Sequence, residues 1–170
     1  PLCFSLPVAR LTGKYLAAFD FKVIPVRLTP QERETYESLR TTFHLSFRPF
    51  MEVHPGAAWL DFVRAAVRSP QGREALRALR KSRDILSLAR CKLAALDTLL
   101  DLHHAEPKLI FTGDNRAAYE VSRRFLLPAI TCDIDRPERE EILRRFKDGT
   151  YHALVSAKVL NEGFDVPAAS

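Results

Sequence analysis

Hydrophobic positions fall into two regimes along this chain. From Thr29 to about His103, outside His44–Gly56, apolar residues recur at three- and four-residue intervals, the period of a helix with one buried face. After Pro107, short continuous apolar runs alternate with helical patterns, which predicts parallel βαβ units. The runs Leu109-Ile110-Phe111, Ala129-Ile130-Thr131-Cys132 and Ala153-Leu154-Val155-Ser156 read as strands. They empty into Thr112-Gly113-Asp114-Asn115, into Asp133, and into a stretch closed by Gly163-Phe164-Asp165. The helices between them run from Arg116 to Leu127 and from an Asp135-Arg136-Pro137-Glu138 start to a stop at Gly149. Ile142, Leu143 and Phe146 form the sheet-packing face of the second. The expected fold is α/β, a parallel sheet flanked by helices, whose ligands collect at the carboxyl ends of the strands. Hydroxyls, carboxylates and glycine at those ends suit phosphate and sugar contacts.

The first half predicts a mostly helical segment. Phe21–Leu28 has strand-forming residues, with Pro25 restricting it to an edge or irregular strand. Thr29-Pro30-Gln31-Glu32 is a capping-box start, and the helix runs through Arg33, Tyr36 and Leu39 toward Phe43. His44–Gly56, with two prolines, reads as a loop. Ala57–Arg68 is helical, with Trp59, Phe62, Val63 and Ala66 on one side, and Ser69-Pro70 opens another helix. A long helix is then expected from about Ser82 to His103, its stripe made by Ile85, Leu88, Leu93, Leu96, Leu99 and Leu100. Residues 1–84 form a lead-in strand and basic helical segment, and residues 85–170 the α/β domain.

A hydrophobic fraction of 46% over 170 residues fits a globular protein, and no apolar run is long enough to span a bilayer. Cytoplasmic residence is expected, nucleoid-associated or nuclear according to the cell. Cys3, Cys91 and Cys132 are scattered without a CxxC pair, so reduced, mostly buried thiols and no metal site are expected. The chain begins at Pro1 and stops at Ser170 just after a site loop, which reads as a piece of a longer protein. Charge is divided unevenly. Residues 1–90 carry 15 Lys and Arg against 8 Asp and Glu, a net of +7, whereas residues 91–170 carry 11 against 13, a net of −2. A basic surface beside a βαβ module fits a polyanion such as nucleic acid; exposed arginines that merely aid solubility are the alternative. Arg73, Arg77 and Arg80 share one helix face, with Arg64 and Arg68 similarly paired on the preceding helix. They could lie along a phosphate backbone or simply be solvated. His103 and His104 sit at a helix end, where the dipole accounts for them.

Three stretches resemble the second RecA-like domain of superfamily 2 helicases. Lys108-Leu109-Ile110-Phe111-Thr112 with the following Ala-rich helix is similar to motif IV. Glu138-Arg139 leading to Leu143, Phe146 and Gly149 matches the family's ER-x-x-x-L-x-x-F-x-x-G helix, and Leu154–Ala169 is similar to motif V. Gly13–Phe19 and Val26–Arg33 resemble the lead-in of XPB-type DNA helicases, although Swi/Snf-type translocases share the LTPxE turn. Residues 44–82 match neither and read as an insertion.

The resemblance implies an ATP-dependent DNA helicase or translocase, a role in DNA repair, and a first RecA-like domain as partner. It implies nucleic-acid contacts at Thr112, Gly113, Asn115 and Ser156, and nucleotide or interdomain contacts at Gly163 and Asp165. Capping by Asp114 or Asn115, a buried strand-end hydroxyl at Ser156 and a turn role for Asp165 are the competing readings. Arg139 is expected to be structural; Lys158 and Glu162 stay open. ATP and Mg²⁺ would be bound mainly by the partner domain, because the chain has no G-x-x-x-x-G-K-[ST] loop or acidic Walker B signature; the QxxGRxxR stretch with the family's arginine finger is also missing and is expected after Ser170. No catalytic residue is therefore assigned, and this chain alone is expected to be inactive. A regulatory nucleic-acid-binding module without a motor cycle is the rival reading, and a sugar-nucleotide enzyme a weaker third.

Overall fold

The computed structural model describes residues 20–157. The strand expected at Phe21–Leu28 does not form. These residues lie outside any helix or strand and are exposed up to Arg27. A β-branched run becomes a strand only beside a neighbour that accepts its hydrogen bonds, and Pro25 has already removed one donor.

Helix α1 spans Pro30–Val53. Thr29 Oγ1 accepts from the Glu32 amide at 3.2 Å, and Glu32 Oε2 accepts from the Thr29 amide at 2.9 Å, completing the expected capping box. The helix does not stop near Phe43. It carries Pro49 inside it, which corrects the loop expected from His44 onward. Phe43, Phe47 and Phe50 recur at helical spacing on its inner face, and burying them outweighs the hydrogen bond that Pro49 removes. The carbonyl that loses its donor belongs to Leu45, an exposed residue whose carbonyl can turn to water.

Helix α2 spans Trp59–Ala66 and α3 spans Pro70–Ser87. Phe62, only 2% exposed, meets Phe43, Phe47 and Phe50 at centroid separations of 5.9, 5.0 and 5.4 Å. Ala66, Ala75 and Leu79 complete this core. Ser69 caps α3 by accepting from the Gly72 amide at 3.0 Å. Gly72 is required by close packing: a Cβ there would lie 2.3 Å from the Ala66 carbonyl oxygen and 2.5 Å from the Ala66 Cα. Gly72→Ala is thus expected to destabilise by about 1–3 kcal/mol, although alanine is the better helix former by about 1 kcal/mol. A melting temperature raised by the substitution would contradict this packing.

The single helix expected from Ser82 to His103 is two helices. It breaks at Leu88 and Ala89, and α4 spans Arg90–Leu102. Apolar residues continue through the break, but those well before it and those after it serve two different cores. Ala75 and Leu79 face the aromatic cluster, whereas Leu93 and Leu96 face the sheet. Glu32 spans the break: its Oε1 accepts from the Arg90 amide at 2.9 Å. That amide bond first, and the Thr29 bonds after it, hold the Glu32 carboxyl below its ordinary range.

Strands β1 (Lys108–Thr112), β2 (Ala129–Ile130) and β3 (Ala153–Ala157) form a parallel sheet in the order β1-β3-β2. Helix α5 (Asn115–Phe125) connects β1 to β2, and α6 (Arg136–Lys147) connects β2 to β3. β3 is buried along its whole length. Side-chain alternation divides the core: Ile110, Ala129 and Val155 pack with Ala118, Val121, Leu93 and Leu96. On the other face Leu109, Ile130 and Leu154 meet Ile142, Leu143 and Phe146. The α/β sheet flanked by helices is therefore the fold expected. β2 stops before Thr131, and Cys132 is exposed with Cys91 half-buried, which corrects the expectation of mostly buried thiols.

Candidate nucleic-acid interface

The turn after β1 is built by short polar side chains. Thr112 Oγ1 donates to the Asp114 carbonyl at 3.0 Å, and Asp114 Oδ1 accepts from the Ala117 amide at 2.8 Å, capping α5. Gly113 is exposed at the turn, with open space where a Cβ would stand. The Asn115 and Arg116 amides precede the helix's own bonding and lie at its positive end, a favourable place for an anion.

The Asn115 side chain points elsewhere. Its Nδ2 donates to Asp133 Oδ2 at 2.9 Å and lies 2.8 Å from Cys132 Sγ. Tyr119 joins the same knot, its hydroxyl 2.6 Å from Thr131 Oγ1 and donating to Asp133 Oδ2 at 3.2 Å. These bonds fasten the segment after β2 against the start of α5. The sequence reading missed Tyr119, Thr131 and Asp133. The one signal for them is that Asn115 and Tyr119 stand four apart on α5, facing the same way. Asn115 therefore commits its side chain to the protein, which leaves only its backbone amide open at the start of α5.

Ser156 stands apart. It lies in the central strand opposite Phe111 and Ile130, is 0% exposed, and its Oγ has no partner among the described residues. Lys158, Glu162, Gly163 and Asp165 lie outside the described residues.

The arginine row is on the outer side of α3, away from Ala75, Ala78 and Leu79. Arg73, Arg77 and Arg80 are all exposed. Arg73 Nη1 donates to the Val67 carbonyl at 3.0 Å, at the end of α2. Arg77 pairs loosely with Glu74 at 3.5 Å, and Arg80 has no carboxylate partner among the described residues. Four residues past Arg80 the strip reaches Asp84, which pairs with Arg116 in the first turn of α5. The comb and the strand-end turn therefore adjoin.

Helix α6 shows what a neutralised arginine face looks like. Arg136 pairs with Glu140 at 2.7 Å, Arg144 with Glu141 and Asp148 at 2.8 Å each, and Arg145 with Glu141 at 2.6 Å. Arg144 first, then Arg145, bring the Glu141 carboxyl down to about 2. Arg139, from the ER motif, is half-buried and reaches the Ile134 carbonyl. Positive charge is thus compensated along α6 and left mostly open on α3. The described residues gather no group of three His, Cys, Asp or Glu that could hold a metal ion.

Residues 91–170, beginning at α4, match the helicase conserved C-terminal domain family, and α1 to α3 lie outside that match. The whole chain is 35% identical to the DNA 3'-5' translocase XPB2 of Sulfurisphaera tokodaii and spans 39% of that protein's length. It is 31% identical to the UvrABC system protein B of Pseudomonas putida over 72% of this chain and 18% of that one. The Pyrococcus furiosus Hef helicase domain superposes with a TM-score of 0.59 at 16% identity, over 90% of this chain and 47% of its own. The Sulfolobus solfataricus SWI2/SNF2 ATPase C-terminal domain gives 0.54 at 14% identity, over 85% and 66%. At such identities these two likenesses speak for the fold, which is RecA-like. Fold, motif order and sequence identity converge: residues 91–170 belong to the helicase conserved C-terminal domain family and have its RecA-like fold, and the chain as a whole is similar in sequence to an XPB-type translocase.

Proposed function

We propose that this chain is the second motor domain of an ATP-driven DNA translocase, together with a basic helical unit that grips the DNA backbone. The observation that carries the proposal is the adjacency of two phosphate-seeking surfaces. The exposed strip Arg73, Arg77, Arg80 leads along α3 to the capped turn Thr112-Gly113-Asp114-Asn115. Guanidinium groups would neutralise phosphates along the strand, and the amides at the start of α5 would hold one more. Gly163 and Asp165 would meet nucleotide, or the first RecA-like domain, across the cleft between the two. The described residues supply no ligand set for Mg²⁺ and no phosphate loop for ATP, so those groups belong mainly to the partner domain in this reading. Hydrolysis there would open and close the cleft, and alternating grip would move the protein along DNA, in repair or a related process.

The test is fluorescence-anisotropy titration of the chain with single-stranded and forked DNA at two salt concentrations. Weak binding is expected, with a log–log salt slope of about −2 to −3 for three or four neutralised phosphates of a single strand. Binding that ignores salt, or no binding at low salt, rejects the DNA-gripping role. ATP turnover by this chain alone would reject the division of the nucleotide site between two domains.

A further inference from the structure

Asp84 interrupts the basic strip. Positions 73, 77, 80 and 84 follow one another at helical spacing on the outer side of α3, three arginines and then a carboxylate. Asp84 has no partner on its own helix. It reaches Arg116, which is 32 residues away in sequence and adjacent to Asn115 at the start of α5. The Arg116 side chain is 63% exposed and that of Asp84 23%. So the one arginine standing between the comb and the strand-end turn has its charge cancelled by a carboxylate from the comb helix.

We propose that Arg116 is a phosphate ligand and that Asp84 is its built-in competitor, released when the DNA backbone arrives. The proposal rests on the DNA-gripping role argued above and names a residue for it. Three arguments support competition over a purely structural latch. The pair is a single Nη1–Oδ2 contact on a guanidinium that is mostly exposed, so a phosphate that takes two of its hydrogen bonds at once can displace the carboxylate. The helical unit does not depend on this pair for attachment, since Glu32 already joins the starts of α1 and α4 through the Arg90 amide. From Arg73 to Asp84 the strip rises about 16 Å at 1.5 Å per residue, and Arg116 extends it toward the α5 turn, as a ligand in line with the comb must. Displaced from Arg116, the Asp84 carboxylate remains beside the bound phosphate and repels it. That repulsion weakens the grip, which a stepping motor must be able to release.

The test uses the full chain and a fluorescein-labelled 20-nucleotide single strand, titrated over a salt series by anisotropy, with thermal melts of each variant. Asp84→Asn is expected to tighten binding about three- to tenfold near 0.1 M salt, because it removes both the competitor and the repulsion. Arg116→Gln is expected to weaken binding and flatten the salt slope by about 0.7, one phosphate fewer. In the double variant the gain from Asp84→Asn should vanish. Unchanged or weaker binding by Asp84→Asn at an unaltered melting temperature overturns the proposal, as does a gain that survives in the double variant. Should Asp84→Asn melt early, the slope of Arg116→Gln decides, and an unchanged slope overturns the proposal. A wild-type chain that binds no DNA removes the underlying role and this assignment together. A wild-type chain that binds normally, with no gain in Asp84→Asn, removes this assignment alone.

Discussion

Phe62→Ala is expected to destabilise the helical unit by about 3–5 kcal/mol, the range for truncating a fully packed phenylalanine. Phe62 is the centre of the aromatic core. It meets Phe43 and Phe47 edge-on at interplanar angles of 89° and 88°, and also touches Phe50 and Trp59. Each edge-to-face pair adds about 0.5–1.5 kcal/mol beyond area burial, so the variant loses several pair terms as well as the transfer term. Nor can the site collapse easily, because Gly72 already brings the α2 and α3 backbones into contact. Thermal melts followed by circular dichroism should show a midpoint lower by roughly 10 °C or more for a unit of this size. Phe62→Leu should recover much of the loss. A shift of only a degree or two would mean that α1, α2 and α3 are not held together by this cluster.

The second large effect concerns binding and should leave stability nearly intact. Replacing Arg73, Arg77 and Arg80 together with alanine removes three candidate phosphate partners. For single-stranded DNA the salt slope should fall by about 2, which at 0.1 M salt corresponds to a loss of roughly a hundredfold in affinity. The folded state loses little. Arg77 contributes one exposed ion pair, and Arg73 contributes one side-chain bond to the Val67 carbonyl, worth about 1 kcal/mol. Anisotropy titrations and a melt on the same preparation separate the two quantities. A triple variant that binds like the parent would make the row a solvated surface and would move the grip to the α5 turn.

Features written by local chemistry were legible in the sequence. Thr29 with Glu32, Ser69, Asp135 and Gly149 mark helix boundaries through bonds or backbone geometry that need only near neighbours, and each acts where expected. The errors arose where distant packing decided. Pro49 looks like punctuation, yet the phenylalanines on either side of it carry the helix through. The break at Leu88 is invisible because its apolar stripe never lapses; only the presence of two separate cores shows why the helix must turn. Phe21–Leu28 has strand composition but lacks a strand to pair with. The knot of Asn115, Tyr119, Thr131 and Asp133 spans a crossover, so no short window contains it. Arg73, Arg77 and Arg80 could be read as a row, but nothing in that row announces that Asp84 closes it against Arg116.

The strand order β1-β3-β2 also sets a timetable for synthesis. Among the described residues β1 and β2 do not pair with each other; each pairs with β3, the last of the three to leave the ribosome. Until Ala157 has emerged, the sheet has no centre, and the apolar faces of α5 and α6 have nowhere to pack. The helical unit has its own core between Phe43 and Leu79 and is under no such delay. Nascent chains arrested before β3 should therefore resist protease within residues 30–87 and be cut between Lys108 and Asp148, whereas equal protection of both regions would mean that β1 and β2 find another partner. A ribosome pausing ahead of Ala153 would leave an assembled helical unit tethered to an α/β domain that does not yet exist.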